Sequence, residues 1–170
     1  MKSKKIAVTL VSGLLLVLLY GIIFSFSAQD GETSTEISMG VSGSLVGILD
    51  FLTFGTMNME TLTELAVFIE HPLRKSAHFL EYALMGILIY SMLYYPVNSG
   101  KRRFWISLGW VILSAAADEL HQYFVPGRWG SVKDVLLDSC GGLAGVFILH
   151  QIVKHIKKKE NKKVCLHEKE

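Results

Sequence analysis

Three short sets of ionisable residues carry whatever chemistry this chain can do. Arg74, His78 and Glu81 fall four and three residues apart, with Lys75 beside them. Asp118, His121 and Gln122 repeat that kind of spacing, with Glu119 turned by about 100° at helical pitch, and Asp134 and Asp138 repeat it again. Each set would occupy one face of a helix. Arg128, Ser131 and Lys133 fall between the second and third sets. Such a collection suits an anionic head group. A guanidinium fork binds two phosphate oxygens at once, and a lysine adds a point charge. His78 is the leading acid or base, because an imidazole titrates near neutrality and Glu81, Asp118 or Asp138 could orient it and stabilise its cation. The candidate catalytic residues are therefore His78, Glu81, Asp118, Glu119, His121, Asp134 and Asp138, and the candidate substrate-binding residues are Arg74, Lys75, Gln122, Arg128 and Ser131. The spacing defines no metal-ligand geometry. No metal ligands are assigned and no cofactor is expected, with Mg²⁺ held by the carboxylates as the alternative.

The elements that position these residues are long apolar runs. Of the 170 residues 51% are hydrophobic and the mean hydropathy is +0.39, too apolar and too continuous for a small soluble core. A helix needs roughly 20 apolar residues to cross about 30 Å of hydrocarbon. Four stretches approach this, at about 6–24, 77–95, 104–124 and 134–153. The expected fold is an all-α membrane protein with four transmembrane helices, forming one domain over 1–153 with a basic cytoplasmic tail at 154–170. The first run is too long for a signal-peptide core, and Phe26 is bulky where cleavage wants a small residue, so an uncleaved helix is expected. The segment 25–55 is rich in Ser, Thr and Gly and reads as an outer loop, with 41–54 as a short interfacial piece. Asn58 would cap an amphipathic surface helix over 59–71, which Pro72 would stop.

Charge sets the orientation. Of 17 Lys and Arg residues, 13 fall at the two termini and at 101–103, and 12 of 15 carboxylates fall on the opposite side. The positive-inside bias places both termini in the cytoplasm of a multi-pass protein. Arg74, Lys75, Arg128 and Lys133 are the exceptions, and their outer placement asks for a reason. The lysine-rich tail suits anionic lipid and requires no nucleic acid. Cys140 in the fourth span and Cys165 in the tail cannot meet as a disulfide under this topology. Gly141 and Gly145 have the spacing for close helix approach. The oligomeric state is not readable.

The motifs Arg74-Lys75-Ser76-Ala77-His78-Phe79-Leu80-Glu81-Tyr82, then Asp118-Glu119-Leu120-His121-Gln122-Tyr123-Phe124-Val125-Pro126-Gly127-Arg128, then Ser131, Asp134-Val135-Leu136-Leu137-Asp138 and Gly141-Gly142 resemble the VanZ-like family over about residues 6–153. Phe24-Ser25-Phe26-Ser27-Ala28-Gln29 is similar to the family's pattern after its first helix. The resemblance implies a small integral membrane protein of mainly Gram-positive bacteria, in a family named for a member giving low-level resistance to teicoplanin. It also implies a role on lipid head groups or lipid-linked envelope precursors. Ionisable groups inside a membrane default to function because hydrocarbon cannot hydrate them. The competing readings are binding of lipid or glycopeptide without chemistry, transport, and polar pairs that only pin helices together.

Overall fold

The structure, a computed structural model, describes the backbone of residues 2–167 and the side chains of residues 3–159. It consists of five helices, α1 (Lys2–Ser27), α2 (Gly31–Leu52), α3 (Met59–Met92), α4 (Gly100–Tyr123) and α5 (Val132–His167), with no strand among the described residues. The all-helical expectation is met. The helix starts follow from capping side chains: Asp30 accepts from the Thr33 N–H, Asn58 from the Thr61 N–H and Ser99 from the Arg102 N–H. Each satisfies an amide that the first turn leaves without a partner.

Two elements differ from the sequence expectation. The expected loop at 25–55 is instead the 22-residue helix α2, so the short interfacial piece at 41–54 is not a separate element. Its Ser and Thr hydroxyls, which favour loops when they compete for backbone groups, turn back onto the helix. Thr35 bonds the Gly31 carbonyl, Ser38 that of Ser34 and Ser44 that of Gly40. Nor does Pro72 stop a helix, since α3 runs through it for 34 residues, about 51 Å. An interior proline costs about 3 kcal/mol. Packing of α2 against this half of α3, including Ser42, Val46 and Ala66 as buried residues, offsets that cost. Helix α5 continues to His167, into the segment 154–170 expected as a basic tail. The side chains of Lys162, Lys163 and Lys169, part of the expected lipid-facing cluster, lie outside the described residues.

By length and composition three segments can cross a membrane, Ser3–Ser27, Gly31–Leu52 and Val132–Lys159, not the four expected. The first and last match expected spans. α3 and α4 are long enough, but Lys75, His78 and Glu81 in one and Asp118, Glu119 and His121 in the other dilute their apolar character. Large hydrophobic side chains face outward along the helices, among them Leu10, Leu14 and Val17 on α1, Trp105 and Leu113 on α4, and Phe147 and Ile148 on α5. A soluble monomer does not expose so much apolar surface, and the chain is a membrane protein.

Helix α3 is the central element, packed against α1, α2, α4 and α5. Its closest seam is with α5. A Cβ at Gly141 would lie 2.2 Å from the Phe79 carbonyl oxygen, at Gly145 2.0 Å from that of Ala83, and at Gly86 2.5 Å from that of Gly142. The glycine spacing therefore does what the sequence implied. Below the polar residues lies a dry layer of fully buried Met85, Ile89, Val111, Ala115 and Val146.

Arg103, expected only as a topology signal, is buried at the far end of this layer. Its guanidinium donates to the Tyr94 and Val97 carbonyls and stacks on the Tyr90 and Tyr94 rings, 5.0 and 4.5 Å from their centroids. It thus closes the α3–α4 turn, and His150 joins the cluster through a 2.9 Å hydrogen bond with the Tyr90 hydroxyl. Arg103→Ala leaves two carbonyls without their donor and opens a cavity, so a loss of about 2–5 kcal/mol is expected, read as a fall in the unfolding temperature in detergent.

Candidate functional site

At the opposite end of the bundle the helix rotations bring the three sequence sets together. His78 from α3, Asp118 from α4 and Asp138 from α5 each offer one nitrogen or oxygen, and these atoms all lie within 4.8 Å of one another. Asp138 is 1% exposed, and among the described residues neither of its oxygens has a hydrogen-bond partner. Asp118 is held differently. It accepts from the Ser27 hydroxyl at 2.5 Å and from the Gln122 amide at 3.0 Å, and Gln122 also donates to Ser27 at 3.0 Å. Glu119, also buried, accepts the Ser131 backbone N–H at 2.8 Å.

Above this group is a cavity of about 320 Å³ whose lining includes Arg74, Lys75, His78, Glu119, Gln122, Arg128, Asp134 and Asp138. The cations are not equivalent. Lys75 pairs with Asp134, and Arg74 pairs with Glu70 while also donating to Ser38 at 2.7 Å. Arg128 donates to the Phe26 carbonyl at 3.1 Å and to Ser34 at 2.6 Å, and among the described residues it pairs with no carboxylate. Burial and the neighbouring Arg74 pull Arg128 below its ordinary pKa while leaving it a cation.

Arg128 is positioned by the α4–α5 turn, which docks on the start of α2. Gly127 there has φ +72°, a left-handed conformation that glycine adopts without strain, and a Cβ at Gly31 would meet the Gly127 carbonyl oxygen at 2.2 Å. The Gly31 N–H donates to the Pro126 carbonyl at 3.1 Å. Side chains of α2 then register against α3 in antiparallel fashion, Thr35 beside Arg74 and Ser38 beside Glu70.

A second cavity, about 180 Å³, adjoins the first and shares Arg74, His78 and Arg128 with it. Its remaining lining includes Phe26, Ile37, Val41, Leu73, Ala77 and Glu81. The two cavities thus place polar and apolar chambers on either side of the same three basic residues.

Not every candidate joins them. His121 turns away from the two chambers, stacks on Phe24 at 4.9 Å between ring centroids and lines a third cavity with Tyr20, Tyr82, Trp110 and Asp118. Glu81 faces the apolar chamber, and Ser131 contributes its backbone amide to Glu119.

The family model described as VanZ/LLP1 matches residues 12–154, most of the chain. This chain belongs to the VanZ/LLP1 family. No curated protein and no solved structure matches it.

Several residues around the site of this VanZ/LLP1 chain escaped the sequence reading. Ser27 holds Asp118, and the only sequence signal for it is its place in Phe24–Gln29. Glu70 and His71 precede the first motif, yet Glu70 binds Arg74 and Ser38, and His71 lines the cavity of about 320 Å³. Burial pushes the Glu70 carboxyl up, but the Ser38 hydroxyl and the Arg74 guanidinium outweigh it, leaving a net lowering from the ordinary 4.5. A carboxyl lowered in the folded state stabilises above its unfolded pKa and loses that contribution as pH falls through the folded value. Contacts between α2 and α3 should therefore loosen in acid below about pH 4.5 in wild type but not in Glu70→Gln, measured as hydrogen exchange along 31–52.

Proposed function

We propose that this VanZ/LLP1 protein binds, and acts on, a phosphate-bearing membrane lipid or lipid-linked cell-envelope precursor at the outer face of the membrane. The observation that carries this reading is the pair of adjoining cavities with Arg74, His78 and Arg128 between them. One chamber is rich in charged groups and fits a phosphorylated head. The other is mostly apolar and fits the start of an acyl or isoprenoid chain. A single amphiphile occupies both.

In this reading α1, the second half of α3, α4 and α5 cross the bilayer with both termini inside. The cation distribution supports that orientation. Helix α2 pairs with the first half of α3 through Ser38 with Glu70 and Thr35 with Arg74, and its Ser34, Ile37, Ser38 and Val41 line the apolar chamber. Transport is disfavoured by the dry layer of Met85, Ile89, Val111 and Val146, which separates the site from Arg103. His78 is the group placed to move a proton at the bound head group, with Asp118 and Asp138 beside it.

The test is native mass spectrometry of the full chain in detergent, with matched lipids that carry or lack a phosphate. Phosphate-bearing lipids should be retained at least tenfold more strongly, and Leu73→Trp, which fills the apolar chamber, should weaken all of them. Equal retention of phosphate-free lipids would overturn the reading. Expression of wild type and His78→Ala at matched levels, followed by lipid profiling and teicoplanin tolerance, tests whether binding leads to chemistry and to glycopeptide resistance.

A further inference from the structure

We propose that His78, Asp118 and Asp138 bind one divalent transition-metal ion, Zn²⁺ or Mn²⁺, at the floor of the larger cavity. The first argument is geometric. One imidazole and two carboxylates, supplied by three helices, converge with their ligand atoms within 4.8 Å of one another. Ligands about 2.0–2.1 Å from a shared ion in tetrahedral geometry lie roughly 3.3 Å apart, so closure needs only side-chain adjustment.

The second argument is independent of that convergence. Asp138 is 1% exposed, and among the described residues neither of its oxygens has a donor, whereas Asp118 beside it has two. A buried carboxylate without a donor is costly, and an ion between it and His78 supplies what the protein withholds. The charges agree. Lys75 pairs with Asp134 and Arg74 with Glu70, which leaves Glu81, Asp118, Glu119 and Asp138 around the two chambers with the Arg128 guanidinium as the remaining cation among the lining residues. One dication offsets most of that excess.

Outer-shell support is also in place, since the Ser27 hydroxyl and the Gln122 amide fix one Asp118 oxygen each. Three protein ligands leave at least one position open toward the cavity. A mixed imidazole and carboxylate set favours Zn²⁺ or Mn²⁺ over Mg²⁺, which prefers oxygen ligands alone. Resting on the head-group reading, with His78 then an ion ligand in place of a proton carrier, the open position would take a phosphate oxygen, polarised by the ion and flanked by Arg128.

The full chain, purified in detergent without lipid, is stripped with chelator and titrated with Zn²⁺, Mn²⁺ or Mg²⁺ alone. Wild type should take up about one equivalent of Zn²⁺ or Mn²⁺, with a rise in unfolding temperature. Asp138→Asn and His78→Ala should bind at least tenfold more weakly, and Ser27→Ala about tenfold more weakly. Pulsed electron paramagnetic resonance of Mn²⁺-loaded wild type should show coupling to one imidazole nitrogen, which keeps the test alive should a variant fail to fold. Absence of stoichiometric uptake, uptake unchanged in both ligand variants, or bound Mn²⁺ without nitrogen coupling would overturn the site. Because no lipid is present, these results stand apart from lipid retention: lipid selectivity without metal uptake refutes the ion alone, and metal uptake without lipid selectivity refutes the head-group reading alone.

Discussion

Gly145→Val should leave little or no correctly folded protein in detergent. The first atom of the new side chain would lie 2.0 Å from the Ala83 carbonyl oxygen and 2.8 Å from its carbon, and these are backbone atoms that cannot swing aside. Relief requires α3 and α5 to part by more than about 1 Å along a seam that also includes Gly141 against Phe79 and Gly86 against Gly142. Overpacking of even a well-tolerated kind costs about 1–3 kcal/mol, and three coupled contacts on one seam exceed that. The same displacement would separate His78 on α3 from Asp138 on α5. Fluorescence-detected size-exclusion chromatography and unfolding temperature provide the readout, with Gly109→Ala as the control. Gly109 is helical with nothing within 4 Å of an added Cβ, so that variant should match wild type or gain up to about 1 kcal/mol. A monodisperse Gly145→Val protein of wild-type stability would mean that the seam is looser than drawn.

The second large effect is expected at Arg128. Arg128→Ala should weaken retention of phosphate-bearing lipids by about 10- to 100-fold, corresponding to roughly 1.5–3 kcal/mol for a charge-assisted hydrogen bond. Arg74 and Lys75 should matter less, because each already pairs with a carboxylate. Arg128→Lys keeps the charge but loses the planar fork, and should recover only part of the affinity. Arg128 also ties the Phe26 carbonyl to Ser34, so the comparison must separate bracing from recognition. Retention of phosphate-free lipids makes that separation. Equal weakening of both lipid classes would assign Arg128 to bracing the α1–α2 junction.

What could be foreseen from the residues alone was what depends on local periodicity. Spacings of three and four put Arg74 with His78, Asp118 with Gln122 and Asp134 with Asp138 on common faces wherever those helices packed. Apolar runs implied helices in a membrane, the cation distribution implied an orientation, and Gly141 and Gly145 implied a close seam. None of these inferences needs a neighbour. Composition misled where tertiary contacts overrode it: the hydroxyl-rich segment is α2, whose Ser34, Thr35 and Ser38 meet Arg128, Arg74 and Glu70, and α3 runs through Pro72 with α2 packed beside it. Packing alone decided how each helix is rotated about its axis. That rotation turns His121 toward Phe24, leaves Asp138 without a partner, pairs Lys75 with Asp134 across two helices, and brings Ser27 from α1 onto Asp118 at a sequence distance of 91 residues. A helical repeat specifies which side chains share a face but not which neighbour that face meets, since that depends on close-packing of side chains from every helix at once.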